Sequence, residues 1–513
     1  MTTSISNLSA EQPARETAAK EISRATKPHS SAPAELVRTL ASRFIIVMLS
    51  IALMLSTLAY GTVHYWALAL FQLGAVSIIL LWAVDAWRSR TLRFSRNPIQ
   101  LPVIGLVVLG LFQLLPLRSA GGAAALSAQP ISSLSLDPYS TRLVLVQIIT
   151  LLIYFAAALA FIDSPKRLRL IVRVVTVFGF LLAIFGLIQS FTSPGKIYWL
   201  KELPQSLPFG PFYNRHHFAA YMEMALALPL GLLFSGAIEA EKKPLYIFSV
   251  AMMGVALIMT GSRGGMISLV AEVVFLIVVM GGRQREAESS GEEKEGRGGR
   301  ARSALIRAGL ALALVFMILG GAVLFGGEGA LSRFVGTVNS DDPTTGRAHF
   351  WGVTLDIIRA HPIIGAGLGS YGLAYTEYDT RNGLFRLEQA HNDYLQTMSD
   401  AGIVGVGLGL FFIFLLFRTG FARRETHDKF RRGVATGALT GCFAVLVHSF
   451  FDFTLHTAAN TLLFLVLVAL ATVNGRVEEA SKRRRRRRRH RSELKQPSIP
   501  ETQAQAIPAA QQQ

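Results

Sequence analysis

Three side chains with chemistry to offer stand out from a chain that is 51% hydrophobic. Arg263 sits in Gly261-Ser262-Arg263-Gly264-Gly265, between two apolar runs with almost no linker. Arg347 opens Arg347-Ala348-His349-Phe350-Trp351, and His391 lies in Ala390-His391-Asn392-Asp393-Tyr394, with Gly402 and Gly405 further on. A guanidinium carries a permanent charge and a planar fork of donors, which suits the oxygens of a diphosphate. An imidazole changes charge near neutral pH, which suits removal of a proton from a sugar hydroxyl. Other readings stand beside these. An arginine at membrane depth marks a site or a partner, or reaches along its stem to the headgroups. A histidine on an apolar face can be a satisfied core residue, and Arg347 could pair with Asp341 or Asp356.

Six further residues are placed to join them. Asn214, Arg215 and His216 precede an apolar run, and Asn392 follows His391 directly. Asp452 and His456 fall between the last two apolar runs. Other chemistries lack their motifs. There is no Gly-x-x-x-x-Gly-Lys-Ser/Thr phosphate loop and no His-Glu-x-x-His pair. The single cysteine, Cys442, can form neither an intramolecular disulfide nor a cysteine metal cluster. No metal and no cofactor are expected.

The elements that must position these residues are transmembrane helices. Only 16% of the residues are charged, and the apolar residues fall into runs of about 17–23, the length that crosses a hydrocarbon core as a helix. Residues 308–325 contain only Ala, Gly, Leu, Val, Ile, Met and Phe, with no period of two to suggest a barrel strand. The fold class is all-α: a polytopic membrane protein of about twelve spans, with a long helical loop outside the cytoplasm. The spans are expected at 44–61, 65–86, 101–117, 143–162, 170–191, 216–237, 245–261, 264–281, 304–326, 401–417, 433–451 and 459–474. The organisation that follows is a disordered cytoplasmic arm at 1–42, spans one to nine within 43–326, a loop domain at 327–400, spans ten to twelve within 401–475, and a disordered polybasic tail at 476–513. The first run starts too late and is too long for a cleaved signal peptide.

Basic residues follow every even-numbered span, among them Arg88 to Arg96, Lys166 to Arg169, Lys242 and Lys243, and Arg418 to Arg432. The odd exits are sparser, apart from Lys196, Lys201 and Arg215 after the fifth span and the long loop after the ninth. Both termini in the cytoplasm of a bacterial inner membrane fits this bias best. Lys482, Arg483 through Arg489, and Arg491 carry half of the net charge of +18. Beside a membrane such a tail holds to anionic lipids, at about 1 kcal/mol per charge, and a nucleic-acid partner is not expected.

All the singled-out residues then face away from the cytoplasm, where there is no nucleotide-sugar supply. Energy for bond formation must arrive with the substrate, as a lipid-linked diphosphate sugar. In the long loop, a helix is expected from Gly346 to Ala360 after the entry Asp342-Pro343-Thr344-Thr345, with Trp351, Leu355 and Ile358 on one docking face. A second is expected from about Leu387 to Ala401, ending at Gly402, with His391, Leu395 and Met398 sharing a face.

Residues 211–456 resemble the bacterial O-antigen ligase and O-antigen polymerase superfamily. His391 and Asn392, then nine residues, then Gly402-x-x-Gly405 is similar to a family pattern. So are Ser262-Arg263-Gly264, Gly346-Arg347 with its following tryptophan, and His361-Pro362-x-x-Gly365-x-Gly367. The resemblance implies a metal-independent, inverting glycosyl transfer from undecaprenyl diphosphate. Arg263 and Arg347 would hold the diphosphate and stabilise it as a leaving group, and His391 would orient or deprotonate the acceptor. Asn214, Arg215, His216, Asn392, Asp452 and His456 would contact substrate. A ligase would use lipid A-core as acceptor; a polymerase of lipopolysaccharide or exopolysaccharide would use a growing glycan. The His391 pattern leans toward the ligase. A transporter or flippase is the reading from another class, but it would show related halves and broken helices near the midplane.

Overall fold

The computed structural model describes residues 39–117, 133–203, 207–289, 347–380 and 387–473. Thirteen α-helices run through them: α1 (Leu40–Leu58), α2 (Tyr65–Ser89), α3 (Leu101–Gln113), α4 (Pro138–Phe161), α5 (Pro165–Thr192), α6 (Arg215–Phe234), α7 (Lys243–Met259), α8 (Arg263–Ser289), α9 (Arg347–Ala360), α10 (Tyr371–Tyr378), α11 (Asp393–Arg424), α12 (Lys429–His448) and α13 (Ala458–Thr472). Among the described residues nine helices are long and apolar enough to cross a membrane, and α3 and α13 are shorter apolar helices. These eleven fall on eleven of the expected spans. The span at 304–326, the loop-helix entry at 342–345, Asp341, most of the N-terminal arm and the polybasic tail lie outside the described residues. The chain is a polytopic all-α membrane protein.

The starts of the helices are written locally. Asp137, Ser164, Asn214, Asn392 and Asp428 each accept a backbone N–H of the first turn through the side chain. Pro138 and Pro165 follow the caps of α4 and α5, where a missing N–H is no loss.

Two central helices lead to the candidate residues. Helix α6 is buried along almost its whole length, and so is α12. Lipid offers no hydrophobic drive between helices, so close backbone approach supplies the packing. A Cβ on Gly231 would stand 2.4 Å from the Gly433 carbonyl oxygen, and one on Gly437 would stand 2.5 Å from that of Ala227. Glycine is required at both crossings. Helix α13 closes the other side of this pair and is buried throughout.

At the end of the bundle bearing the basic exits, Arg93 bridges Asp85 at 3.0 Å and Asp163 at 3.1 Å, and Arg167 joins Asp163 at 3.2 Å. Arg167 also donates to the Ser42 carbonyl at 2.9 Å. Two of the arginines that bias the orientation are therefore buried partners that tie α1, α2, α4 and α5 together.

The loop region has a small core of its own, built from Leu136, Val353, Ile357, Ala366, Tyr371, Ala374, Tyr375 and Ala390. The buried face of α9 is Val353, Thr354 and Ile357, not the expected Trp351, Leu355 and Ile358; Leu355 is 44% exposed. The stripe is rotated because α9 meets Tyr371 as well as α11: Thr354 Oγ1 and the Tyr371 hydroxyl are 2.8 Å apart. The second expected helix is also corrected. It starts at Asp393 rather than near Leu387, so His391 precedes the cap and shares no face with Leu395 and Met398. Gly402 does interrupt the helix, with φ 60° and ψ −162°, before α11 continues to Arg424.

The glycines of the stretch 361–369 explain that break. Ile403 N–H donates to the Pro362 carbonyl at 2.9 Å, and Val404 N–H to that of Ile363 at 3.2 Å. A Cβ on Gly402 would lie 2.3 Å from the Ile363 oxygen, and one on Gly365 would lie 2.3 Å from the Asp400 carbonyl carbon. Gln113 of α3 locks the join, its Nε2 donating to the Ile364 and Asp400 carbonyls at 2.6 and 2.9 Å. These glycines build a scaffold rather than contact chemistry.

Candidate active site

Four chain segments converge where α6 starts and α12 ends. The first is the start of α6. Asn214 caps it, its Oδ1 accepting from His216 N–H at 2.9 Å, so Asn214 is held by its own helix. Arg215 opens the helix and donates its backbone N–H to the Leu207 carbonyl at 2.9 Å. His216 Nδ1 lies 2.8 Å from Ser262 Oγ.

The second is the start of α8. Ser262 takes the Gly265 N–H on its hydroxyl at 3.2 Å, which is a helix N-cap. Gly264 lets this end meet α12: a Cβ there would stand 2.7 Å from His448 Cδ2 and 2.9 Å from Phe451 Cβ. The odd run Gly-Ser-Arg-Gly-Gly thus seats one helix end against another. Arg263 is part-buried, and its Nη1 is buried with no hydrogen-bond partner among the described residues. A partnerless guanidinium nitrogen beside a helix N-terminus suits an anion.

The third and fourth are His391 and the turn after α12. His391 adopts a left-handed backbone, φ 52°, uncommon for a side-chain-bearing residue and a feature of functional sites. Its Nδ1 is 3.0 Å from Asp452 Oδ1. A carboxylate only accepts, so Nδ1 carries the proton and the lone pair is on Nε2. The His391 side chain is 28% exposed, whereas that of Asp452 is 1% exposed. The other carboxylate oxygen, Oδ2, lies 3.8 Å from both His216 Nδ1 and Arg347 Nη2. Arg347 also donates to the Phe451 carbonyl. Its partner is therefore Asp452; Asp356 pairs instead with Arg359 at 2.6 Å. Burial opposes the charge of Asp452, but the hydrogen bond from His391 and the nearby imidazoles hold its carboxyl well below the usual range.

Asn392 accepts the Tyr394 and Leu395 N–H groups at 3.0 Å each and donates to the Phe450 carbonyl at 3.1 Å. It fixes where α11 starts. His456 Nδ1 lies 2.7 Å from Asp393 Oδ1, and Asp393 Oδ2 accepts from Ser449 Oγ at 2.7 Å. Burial works against charge on His456, yet the bond to Asp393 and that carboxylate's charge leave its pKa raised. This pair pins the turn that presents Asp452.

Of the residues expected from sequence, His216, Arg347, His391 and Asp452 meet directly, and Arg263 stands one residue from Ser262. Asn214, Asn392 and His456 serve the frame. Sequence reasoning passed over Ser262, Asp393, His448 and Glu223. Glu223 is fully buried in α6, with both carboxylate oxygens 3.2 Å from His448 Nδ1. An ionisable group inside an apolar run was a usable signal. Among the described residues, no group of three metal-ligating side chains is arranged to hold a metal ion.

No curated protein matches the chain. Residues 248–410 match the O-antigen ligase family. That segment contains Arg263, Arg347 and His391 and leaves His216, Glu223 and Asp452 outside. Members of this family are glycosyltransferase-like enzymes acting on lipid-linked glycans. The O-antigen ligase match over residues 248–410 supports the O-antigen ligase and polymerase superfamily.

Proposed function

We propose that the protein transfers a glycan from undecaprenyl diphosphate to an acceptor hydroxyl at the outer face of the bacterial inner membrane, as a ligase does, with lipid A-core as acceptor and both termini in the cytoplasm. The observation that carries this reading is the His391–Asp452 pair, with Arg347 on the same carboxylate. Asp452 fixes the imidazole so that Nε2 can take the acceptor proton, the arrangement that a histidine base needs. The acceptor oxygen forms a bond to the anomeric carbon as the bond from that carbon to the diphosphate oxygen breaks. The electron pair leaves with the diphosphate, and the single displacement inverts the centre. Charge builds on the leaving group, so Arg263 and Arg347 act on rate as well as on binding. Neither a metal nor a cofactor is required by these roles.

The test is the pool of lipid-linked glycans in a deletion strain complemented with wild type or with His391→Ala. Long glycans stranded on the carrier in the deletion and in His391→Ala support ligation. Single repeat units stranded there move the reading to polymerisation. If neither accumulates, glycan transfer fails as the function.

A further inference from the structure

Behind the site lies a buried polar chain that the roles above leave unused. Glu223 on α6 holds His448 Nδ1 at 3.2 Å. His448 Nε2 is 3.5 Å from Ser262 Oγ, and Ser262 Oγ is 2.8 Å from His216 Nδ1. Glu223, His448 and Ser262 are fully buried. His216 ends the chain: its side chain is 22% exposed, and its Nδ1 shares Asp452 Oδ2 with Arg347.

The hydrogen-bond count at Ser262 constrains where protons sit. A serine hydroxyl has one proton to give and two lone pairs. Gly265 N–H takes one lone pair. One imidazole can therefore receive the hydroxyl proton, and the other must bring its own N–H. In one arrangement His448 is an imidazolium, with Nδ1–H on Glu223 and Nε2–H on Ser262, and Ser262 donates to a neutral His216. In the other, His448 is neutral, Ser262 donates back to its Nε2, and His216 Nδ1 carries the extra proton. Ser262 gives one proton and takes one, so the two states differ by one proton moved from His448 to His216.

We propose that Glu223, His448 and Ser262 form a buried proton relay that charges His216, which then donates from Nε2 to the departing diphosphate oxygen. This rests on the glycan-transfer reading. The balance closes: the acceptor hydroxyl proton goes to His391, the leaving oxygen takes one from His216, His391 returns its proton to solvent, and the relay takes one back from solvent through His216, its exposed end. Glu223 supplies the negative charge that makes an imidazolium tolerable at this depth. Among the other groups acting on the chain, Asp452 and Asp393 favour charge on His448; on His216 burial opposes charge, Asp452 favours it, and Arg215 and Arg347 oppose it. Glu272 on α8 faces Glu223 electrostatically, and both its carboxylate oxygens are buried without a hydrogen-bond partner among the described residues.

The test uses the full-length protein in lipid nanodiscs, with lipid-linked glycan and acceptor lipid extracted from the deletion strain. Glu223→Gln keeps an acceptor for His448 Nδ1–H but removes the charge. Its kcat should fall about 10²-fold with KM within twofold, the range of a lost proton-transfer step, and the solvent deuterium effect on kcat should rise. Ser262→Ala should fall similarly, and Ser262→Thr, which keeps the hydroxyl, should recover most of the loss. Wild-type kcat and pH profile in Glu223→Gln overturn the relay and leave the pair as a tie between α6 and α12. If Glu223→Gln fails to accumulate, the serine variants decide: full activity in Ser262→Ala overturns the relay. An inactive His391→Ala beside a fully active Glu223→Gln sinks the relay alone, whereas a wild type that transfers no glycan sinks the parent reading too.

Discussion

His391 and Asp452 are 61 positions apart in the chain, yet Nδ1 of one stands 3.0 Å from Oδ1 of the other. Three devices hold this distance: the cap at Asn392, the Asp393 N–H donated to the Ser449 carbonyl at 2.9 Å, and the His456–Asp393 pair in the same turn. Asp452→Asn keeps the size but can present an N–H to the imidazole and favour the wrong tautomer. Transfer should drop by about 10² or more while the protein stays in the membrane, the direction seen when a histidine base loses its carboxylate. Single-turnover rates measure this, and unchanged rates would remove His391 as the base.

Arg263→Ala and Arg347→Ala should each lower transfer by about 10²-fold or more if they stabilise the leaving diphosphate. Arg347→Lys should remain poor, because a point charge cannot reproduce a planar fork that also reaches the Phe451 carbonyl. Near-normal rates in both alanine variants would end the clamp.

Activity should survive EDTA. The proposed roles are filled by two guanidiniums, a histidine and a carboxylate. Loss of activity that one divalent ion restores would overturn the metal-free mechanism.

The His456–Asp393 pair makes a signed prediction. The pKa of His456 is raised in the fold from its ordinary 6.5. A raised histidine contributes stability that is complete below the unfolded value and disappears as pH climbs through the folded value. The melting-temperature gap between wild type and His456→Gln should therefore be widest near pH 6 and shrink as pH rises above 7. A gap that widens with pH would show that the charged form is not the stabilising one.

Gly402→Ala should be among the most damaging small substitutions. The backbone conformation at Gly402 alone costs an alanine about 1–3 kcal/mol, and its Cβ would meet the Ile363 carbonyl. Gly407→Ala, in the same helix with open space around it, should be neutral or mildly stabilising. Thermal melts of the two in detergent check the contrast.

The spans were legible because lipid leaves the sequence little freedom: a run of apolar residues long enough to cross must be a helix. The outward motifs were legible because arginine, histidine and paired glycines have no cheap place there. What the sequence hid was pairing. Arg347 carries no mark that directs it to Asp452 rather than Asp356, since that choice is made by the packing of α9 against the turn after α12. The rotation of α9 was hidden for the same reason: its period allows more than one apolar stripe, and Tyr371 decides which is buried. The start of α11 was misplaced because Asn392 competes with any earlier beginning by capping the helix at Asp393. Ser262 was in plain view within its motif, but its three-way hydrogen bonding depends on two histidines on other helices.

The matched segment 248–410 carries His391, Arg347 and Arg263, while Asp452, His216 and Glu223 lie on either side of it. An exchange of that segment alone would separate His391 and Arg347 from Asp452, the carboxylate that both face. The working site is therefore wider than the matched segment and draws on the helices on both sides of it.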